Sequence, residues 1–149
     1  MIKLYLDTSV ISALFDDRNP ERQNLTRSFF NAIRNFRIFI SVVTLAEVER
    51  TPDIELRGKM EDTLMGHNVL SLTDDVKLLA KKYIHHGAVP KHHEEDAYHI
   101  AIAVINDMDY LLSWNFKHLV REKTREVVNM VNTTNNFKKI EIITPAEIL

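Results

Sequence analysis

Leu4-Tyr5-Leu6-Asp7-Thr8-Ser9-Val10-Ile11 opens the chain with an apolar run that stops at an acid and resumes as helix-compatible residues. Lys3 to Leu6 reads as a short strand, and Thr8 or Ser9 can cap a helix starting near Val10. Asp7 therefore stands at the carboxyl end of a strand. Two more acids occupy comparable boundaries: Glu47 after Ile38-Phe39-Ile40-Ser41-Val42-Val43-Thr44-Leu45-Ala46, and Asp96 before Ala97-Tyr98-His99-Ile100-Ala101-Ile102-Ala103. A polar residue, Asn115, ends the run Tyr110-Leu111-Leu112-Ser113-Trp114.

Outward from that opening, strands alternate with helices. Asn19-Pro20-Glu21 starts a helix with a cap, a first-turn proline and an acid, and Leu25, Phe29 and Ile33 recur at helical spacing. Arg37 to Val43 is β-branched and aromatic, which predicts a strand. Thr44-Leu45-Ala46-Glu47 matches a capping box, so a helix is expected from there. Pro52-Asp53 opens another helix, running to about Gly66. Asn68 to Leu72 reads as a strand, Thr73 caps a helix ended by Gly87, and Ala97, Ile100, Ala101 and Val104 form an apolar helical stripe. Asp109 to Trp114 is a strand, Glu122 to Asn132 a helix, Lys139 to Ile143 the last strand, and Pro145 starts a helical turn. Such alternation implies βαβ crossovers and a mainly parallel sheet covered on both faces, an α/β fold.

The 149 residues fit a single domain, 1–149, with enough length for a real core. The absence of Cys excludes disulfides, thiolate zinc sites and Cys nucleophiles. No apolar run approaches membrane-spanning length and Asp7 interrupts any secretory h-region, so the expectation is a cytoplasmic protein with no membrane partner. A net charge of -2 is unlike that of a general nucleic-acid coater, so nucleic acid would be met by a local patch. No glycine-rich phosphate loop and no Asp-x-Asp after the first strand support a phosphotransfer or nucleotide-binding domain.

In an open parallel sheet functional groups collect beyond the carboxyl ends of the strands. Asp7, Glu47, Asp96 and Asn115 can then converge on one rim. Carboxylates crowded together repel, and a hard divalent cation such as Mg²⁺ or Mn²⁺ removes that penalty, polarises a phosphoryl oxygen and activates water. Each acid alone also has an ordinary explanation: Glu47 as a capping-box residue, Asp7 as a cap, and Asp96, with Glu94 and Glu95, as a complement to a helix dipole.

These residues in this order resemble the PIN domain family, the metal-dependent nuclease fold of many toxin–antitoxin pairs, the VapC-like ribonucleases. The resemblance rests on Leu6-Asp7-Thr8-Ser9-Val10-Ile11, on Thr44-x-x-Glu47 after a strand, on Asp96-Ala97-Tyr98-His99-Ile100-Ala101, and on Leu111-Leu112-Ser113-Trp114-Asn115-Phe116. It implies a three-layer α/β/α sandwich with a five-stranded parallel sheet, and a Mg²⁺ or Mn²⁺ site that hydrolyses RNA, with Asp7, Glu47 and Asp96 at the family's acidic positions. It also implies a possible toxin role, an antitoxin partner and a homodimer, for which the face around Phe29 and Phe36 is a candidate, although the same residues fit an intramolecular core equally well. Asn115 departs from the Asp that many members carry; its amide oxygen can ligate or orient water but adds no charge, which leaves open a weakly active or non-catalytic module that binds RNA or protein.

Around this set, Thr8, Ser9 and Ser113 offer hydroxyls to hold the carboxylates or bound water, and His99 is expected to support Asp96. Lys117, His118, Arg121, Lys123 and Arg125 suggest a phosphate-contacting rim, with Lys91, His92 and His93 as an opposite bank. The doublets His85-His86 and His92-His93 otherwise read as solvated loop residues. Trp114 is expected to pack rather than to stack on a base.

Overall fold

The computed structural model describes all 149 residues. Five strands form one all-parallel sheet: β1 (Lys3–Leu6), β2 (Arg37–Ser41), β3 (Asn68–Leu70), β4 (Tyr110–Leu112) and β5 (Glu141–Ile143), in the spatial order β3-β2-β1-β4-β5. Helices α1 (Thr8–Ala13) and α2 (Pro20–Asn31) link β1 to β2. Helices α3 (Val42–Glu49) and α4 (Ile54–Leu64) link β2 to β3, α5 (Asp74–His85) and α6 (Glu94–Ile105) link β3 to β4, and α7 (Glu122–Thr134) links β4 to β5. No helix is long and apolar enough to cross a membrane.

The period-two alternation of the strands divides the core into two layers. Leu4, Leu6, Ile38, Ile40 and Leu112 point to one side and pack with Val10, Ile11, Phe29, Val48, Met60 and Leu64. Tyr5, Phe39, Leu111 and Ile142 point to the other side, against Leu79, Tyr83, Ile100, Val104, Val128 and Val131. Both faces of the sheet are thus covered, as expected of a parallel sheet, giving the three-layer α/β/α sandwich. Of the two roles open to Phe29, dimer face or intramolecular core, the fold assigns the core: it is fully buried in the first of these layers.

The chain moves from β1 to β2 to β3 in one direction, then crosses to the far side of β1 to place β4 and β5. The strand order reverses between β1 and β4, and the segments leaving those two strands diverge there. Ligand crevices form at such a switch point. Asp7 follows β1 and Ser113 follows β4, so both stand at its lip.

Strands β3, β4 and β5 are shorter than the sequence expectation, and the starts of two helices differ from it. β2 ends at Ser41 rather than Val43, because the Ser41 hydroxyl accepts the Val43 amide at 3.1 Å and caps α3. Val42 and Val43 therefore sit in a first helical turn despite their strand preference. Asp7 itself, rather than Thr8 or Ser9, is the N-cap of α1.

Candidate metal centre

Asp7 is held by its neighbours' hydroxyls. Its Oδ1 accepts from the Ser9 amide at 3.1 Å and the Ser9 hydroxyl at 2.5 Å, and its Oδ2 accepts from Ser113 Oγ at 3.0 Å. Ser9 Oγ also accepts the Trp114 amide at 2.8 Å, which ties the start of α1 to the end of β4. Asp7 is only 4% exposed. That burial pushes its pKa up to about 6, against the lowering influence of His99 and the two serine hydroxyls and with a smaller upward push from Glu47.

Glu47 lies in the last turn of α3, not the first, so the capping-box explanation is removed: the cap is Ser41, and Thr44 is buried within the helix. The Glu47 carboxylate instead reaches across to α1 and α6. Its Oε1 accepts the Thr8 hydroxyl at 2.7 Å and lies 2.5 Å from His99 Nε2. Burial opposes its charge, but the bond and charge of His99, then Thr8, outweigh burial and hold its pKa below the usual value.

Asp96 occupies the first turn of α6, and burial raises its pKa. Its bonded histidine is His118 rather than His99: His118 Nδ1 lies 3.0 Å from Asp96 Oδ2. His99 is instead bridged between Glu47 and the Tyr5 hydroxyl, 2.5 Å from Nδ1, and Tyr5 in turn meets Ser41 Oγ at 2.7 Å. The charge of His99 nonetheless lowers the pKa of Asp7, Glu47 and Asp96 alike, so all three carboxylates lie within electrostatic reach of one buried ring.

Asn115 is placed at the same rim, where its Oδ1 accepts the His118 backbone amide at 2.9 Å and its own backbone N–H donates to Ser113 Oγ at 2.9 Å. The side chain thus caps the turn that carries His118. One lone pair of the amide oxygen remains for another partner.

His118 and His93 are where sequence reasoning fell short. The sequence places His118 on a phosphate rim and His93 in a solvated doublet or on the opposite bank of that rim. In the fold His118 is 8% exposed and His93 half-buried, with ring centroids 4.0 Å apart. Their nitrogens and an Asp96 oxygen all lie within 4.8 Å of one another. One signal was available: Asn115-x-x-His118 is an Asx cap that presents the residue three places on, and His93 immediately precedes the helix that carries Asp96.

The basic rim separates into two kinds of residue. The Arg121 guanidinium donates to Thr124 Oγ1 at 2.6 Å and to the Ala88 carbonyl at 3.0 Å, and Arg125 Nε donates to the Ile142 carbonyl at 2.9 Å. Arg121 thus braces the segment around Ala88, and Arg125 ties α7 to β5. Lys117 and Lys123 are exposed. Trp114 is 7% exposed and donates from its indole to Thr26 at 2.9 Å, as packing requires, whereas Phe116 is 50% exposed.

The PIN domain family model matches residues 4–115, well over half of the chain. Among curated protein sequences none matches. Several solved structures share the fold. VapC20 of Mycobacterium tuberculosis, a sarcin-ricin loop cleaving toxin, is 14% identical with a TM-score of 0.63, over 77% of this chain and 92% of that one. VapBC-5 from M. tuberculosis, a member of the VapBC family of toxin-antitoxin systems, is 17% identical with a TM-score of 0.55, over 97% and 99%. DNA-bound VapBC from Salmonella typhimurium is 18% identical with a TM-score of 0.53, over 97% and 99%. With the family model spanning β1 through the end of β4, including Asp7, Glu47, Asp96 and Asn115, the chain belongs to the PIN domain family.

Proposed function

We propose that this protein is a divalent-metal-dependent endoribonuclease of the VapC toxin type, with Asp7, Glu47, Asp96 and Asn115 around the metal. The observation that carries the proposal is Asp7: a carboxylate buried at the switch point whose hydrogen-bond donors are all uncharged. Such a group costs stability unless a cation compensates it. The donor set fits Mg²⁺ or Mn²⁺, since it is rich in carboxylate oxygen and leaves coordination positions for water and phosphate. When bound, such an ion supplies Lewis acidity to the scissile phosphate and lowers the pKa of a water.

The chain's own residues prepare that site. Ser9 and Ser113 fix the Asp7 carboxylate, and Thr8 and His99 fix Glu47. Exposed Lys117 and Lys123 are suited to phosphate contact, and Phe116 offers an exposed ring on which a base can stack. Resemblance to VapBC toxin-antitoxin structures supports a separate antitoxin chain as partner.

The test is cleavage of a structured RNA by purified protein with Mg²⁺, Mn²⁺ or a chelator. Cleavage is expected only with the metals and should fall by at least about a hundredfold in Asp7→Asn and Asp96→Asn. Metal-independent cleavage, or full activity in both variants, would remove the proposal.

Asn115 favours a second reading, a PIN-fold module that binds RNA with little turnover, because the family's usual carboxylate is missing there. In that case wild-type protein binds RNA without cutting it, and Asn115→Asp, which keeps the cap on His118, gains activity.

A further inference from the structure

We infer that this chain's centre includes an imidazole–carboxylate metal position formed by His93, Asp96 and His118, which takes a first-row transition ion such as Zn²⁺ or Co²⁺. The inference deepens the proposed function, and rests on it for any catalytic consequence, but ion binding itself does not require RNA cleavage.

Geometry is the first argument. The three ligand atoms lie within 4.8 Å of one another, and His118 Nδ1 is 3.0 Å from Asp96 Oδ2. Donors sharing one ion at roughly 2.0–2.2 Å must stand about 3–4 Å apart, so only small side-chain shifts separate this cluster from a closed site. Two imidazoles and a carboxylate with an open face is also a donor set that zinc enzymes use.

Anchoring is the second. Asp96 is set by the first turn of α6, and the His118 amide is pinned by Asn115 Oδ1 at 2.9 Å. The His118 carbonyl accepts from Thr124 Oγ1 at 2.7 Å, so the backbone of His118 is fastened on both sides. His93 lies at the cap position of α6 yet makes no side-chain cap bond, which leaves its ring free to ligate. These histidines stand where the chain lacks the fourth carboxylate: Asn115 supplies no charge and instead positions His118. Imidazole suits Zn²⁺, Co²⁺ and Ni²⁺, whereas Mg²⁺ prefers oxygen alone, so the position at His93, Asp96 and His118 favours a transition ion while the oxygen donors of Asp7 and Glu47 remain suited to Mg²⁺ or Mn²⁺.

The experiment titrates metal-stripped full-length protein with Co²⁺, read by its visible absorption, and with Zn²⁺, read by the ¹⁵N shifts of the histidine rings. One equivalent of Co²⁺ is expected, with His93 and His118 the ring signals that move. His93→Ala and His118→Asn should each weaken Co²⁺ by at least about tenfold. His118 is buried and its variant can fail to fold; His93 is half-exposed, and the wild-type ring shifts need no variant at all. Unmoved His93 and His118 signals, or unchanged Co²⁺ affinity in folded His93→Ala, overturn the inference whatever RNA assays show. Ring ligation without RNA cleavage under any divalent ion leaves it standing and sinks the nuclease proposal instead.

Discussion

His99 Nε2 lies 2.5 Å from Glu47 Oε1, and the pair joins the middle of α6 to the last turn of α3 above the sheet. The histidine is 1% exposed and its other nitrogen is bonded to Tyr5, so Glu47 is aimed by a ring that has no freedom to swing. Burial disfavours the charged ring, but Tyr5, Glu47 and Asp7 outweigh burial and raise its pKa well above 6.5. A raised folded-state pKa contributes stability that is complete below the unfolded value and lost as pH climbs through the folded one.

His99→Gln should therefore be destabilising by about 2–3 kcal/mol at pH 6, because it leaves Glu47 and Tyr5 without a charged partner. The gap between wild type and variant should narrow as pH rises above 6.5, measured by urea unfolding in chelator at several pH values. A gap that widens with pH contradicts the assignment of a protonated His99.

Asp7 has the opposite cost. Its pKa rises from 3.8 to about 6, so the metal-free fold loses stability as pH climbs through that interval. The penalty above it amounts to at most about 3 kcal/mol. Asp7→Asn removes the charge while keeping an oxygen for the Ser9 donors. In chelator at pH 8 the variant should be more stable than wild type by up to that amount, and the gain should vanish near pH 4. Excess Mn²⁺ should stabilise the wild type more than the variant. Equal midpoints at both pH values, with and without Mn²⁺, would falsify the view of Asp7 as a buried charge that His99 only partly compensates.

The alternation of elements was legible because strand and helix patterns were clean: Ile38, Phe39 and Ile40 are β-branched or aromatic, and Ala97, Ile100, Ala101 and Val104 keep helical spacing. The positions of Asp7 and Asp96 at element ends were legible for the same reason. What was hidden depends on contacts between distant segments. Thr44-x-x-Glu47 satisfied a local capping rule, yet Ser41 caps the helix, because its hydroxyl already sits at the carboxyl end of β2 beside Tyr5. The exchange of partners, His99 to Glu47 and His118 to Asp96, spans 52 and 22 residues and is set by how α3, α6 and the turn after β4 meet. No local period encodes it.

Asn115 can be separated into cap and ligand by two substitutions. Asn115→Ala loses the bond to the His118 amide and should cost about 1 kcal/mol in thermal unfolding, while Asn115→Asp keeps that bond and should cost less. If both lower stability equally, the side-chain oxygen is not holding the turn.

Away from the rim, the buried pair Tyr83 and Asn132 ties α5 to α7, with the phenol donating to Asn132 Oδ1 at 2.5 Å. Tyr83 and Asn132 are both fully buried, and Asn132 Nδ2 has no partner. Tyr83→Phe would leave the whole amide unsatisfied in an apolar layer and should destabilise the fold by about 1–3 kcal/mol. Replacing both residues, Tyr83→Phe with Asn132→Leu, removes the stranded polar atoms together, so the double variant should be more stable than Tyr83→Phe alone. Chemical denaturation of the two proteins decides it: a double variant weaker than the single one would mean that the amide, even half-satisfied, fits this contact better than an apolar side chain of similar size.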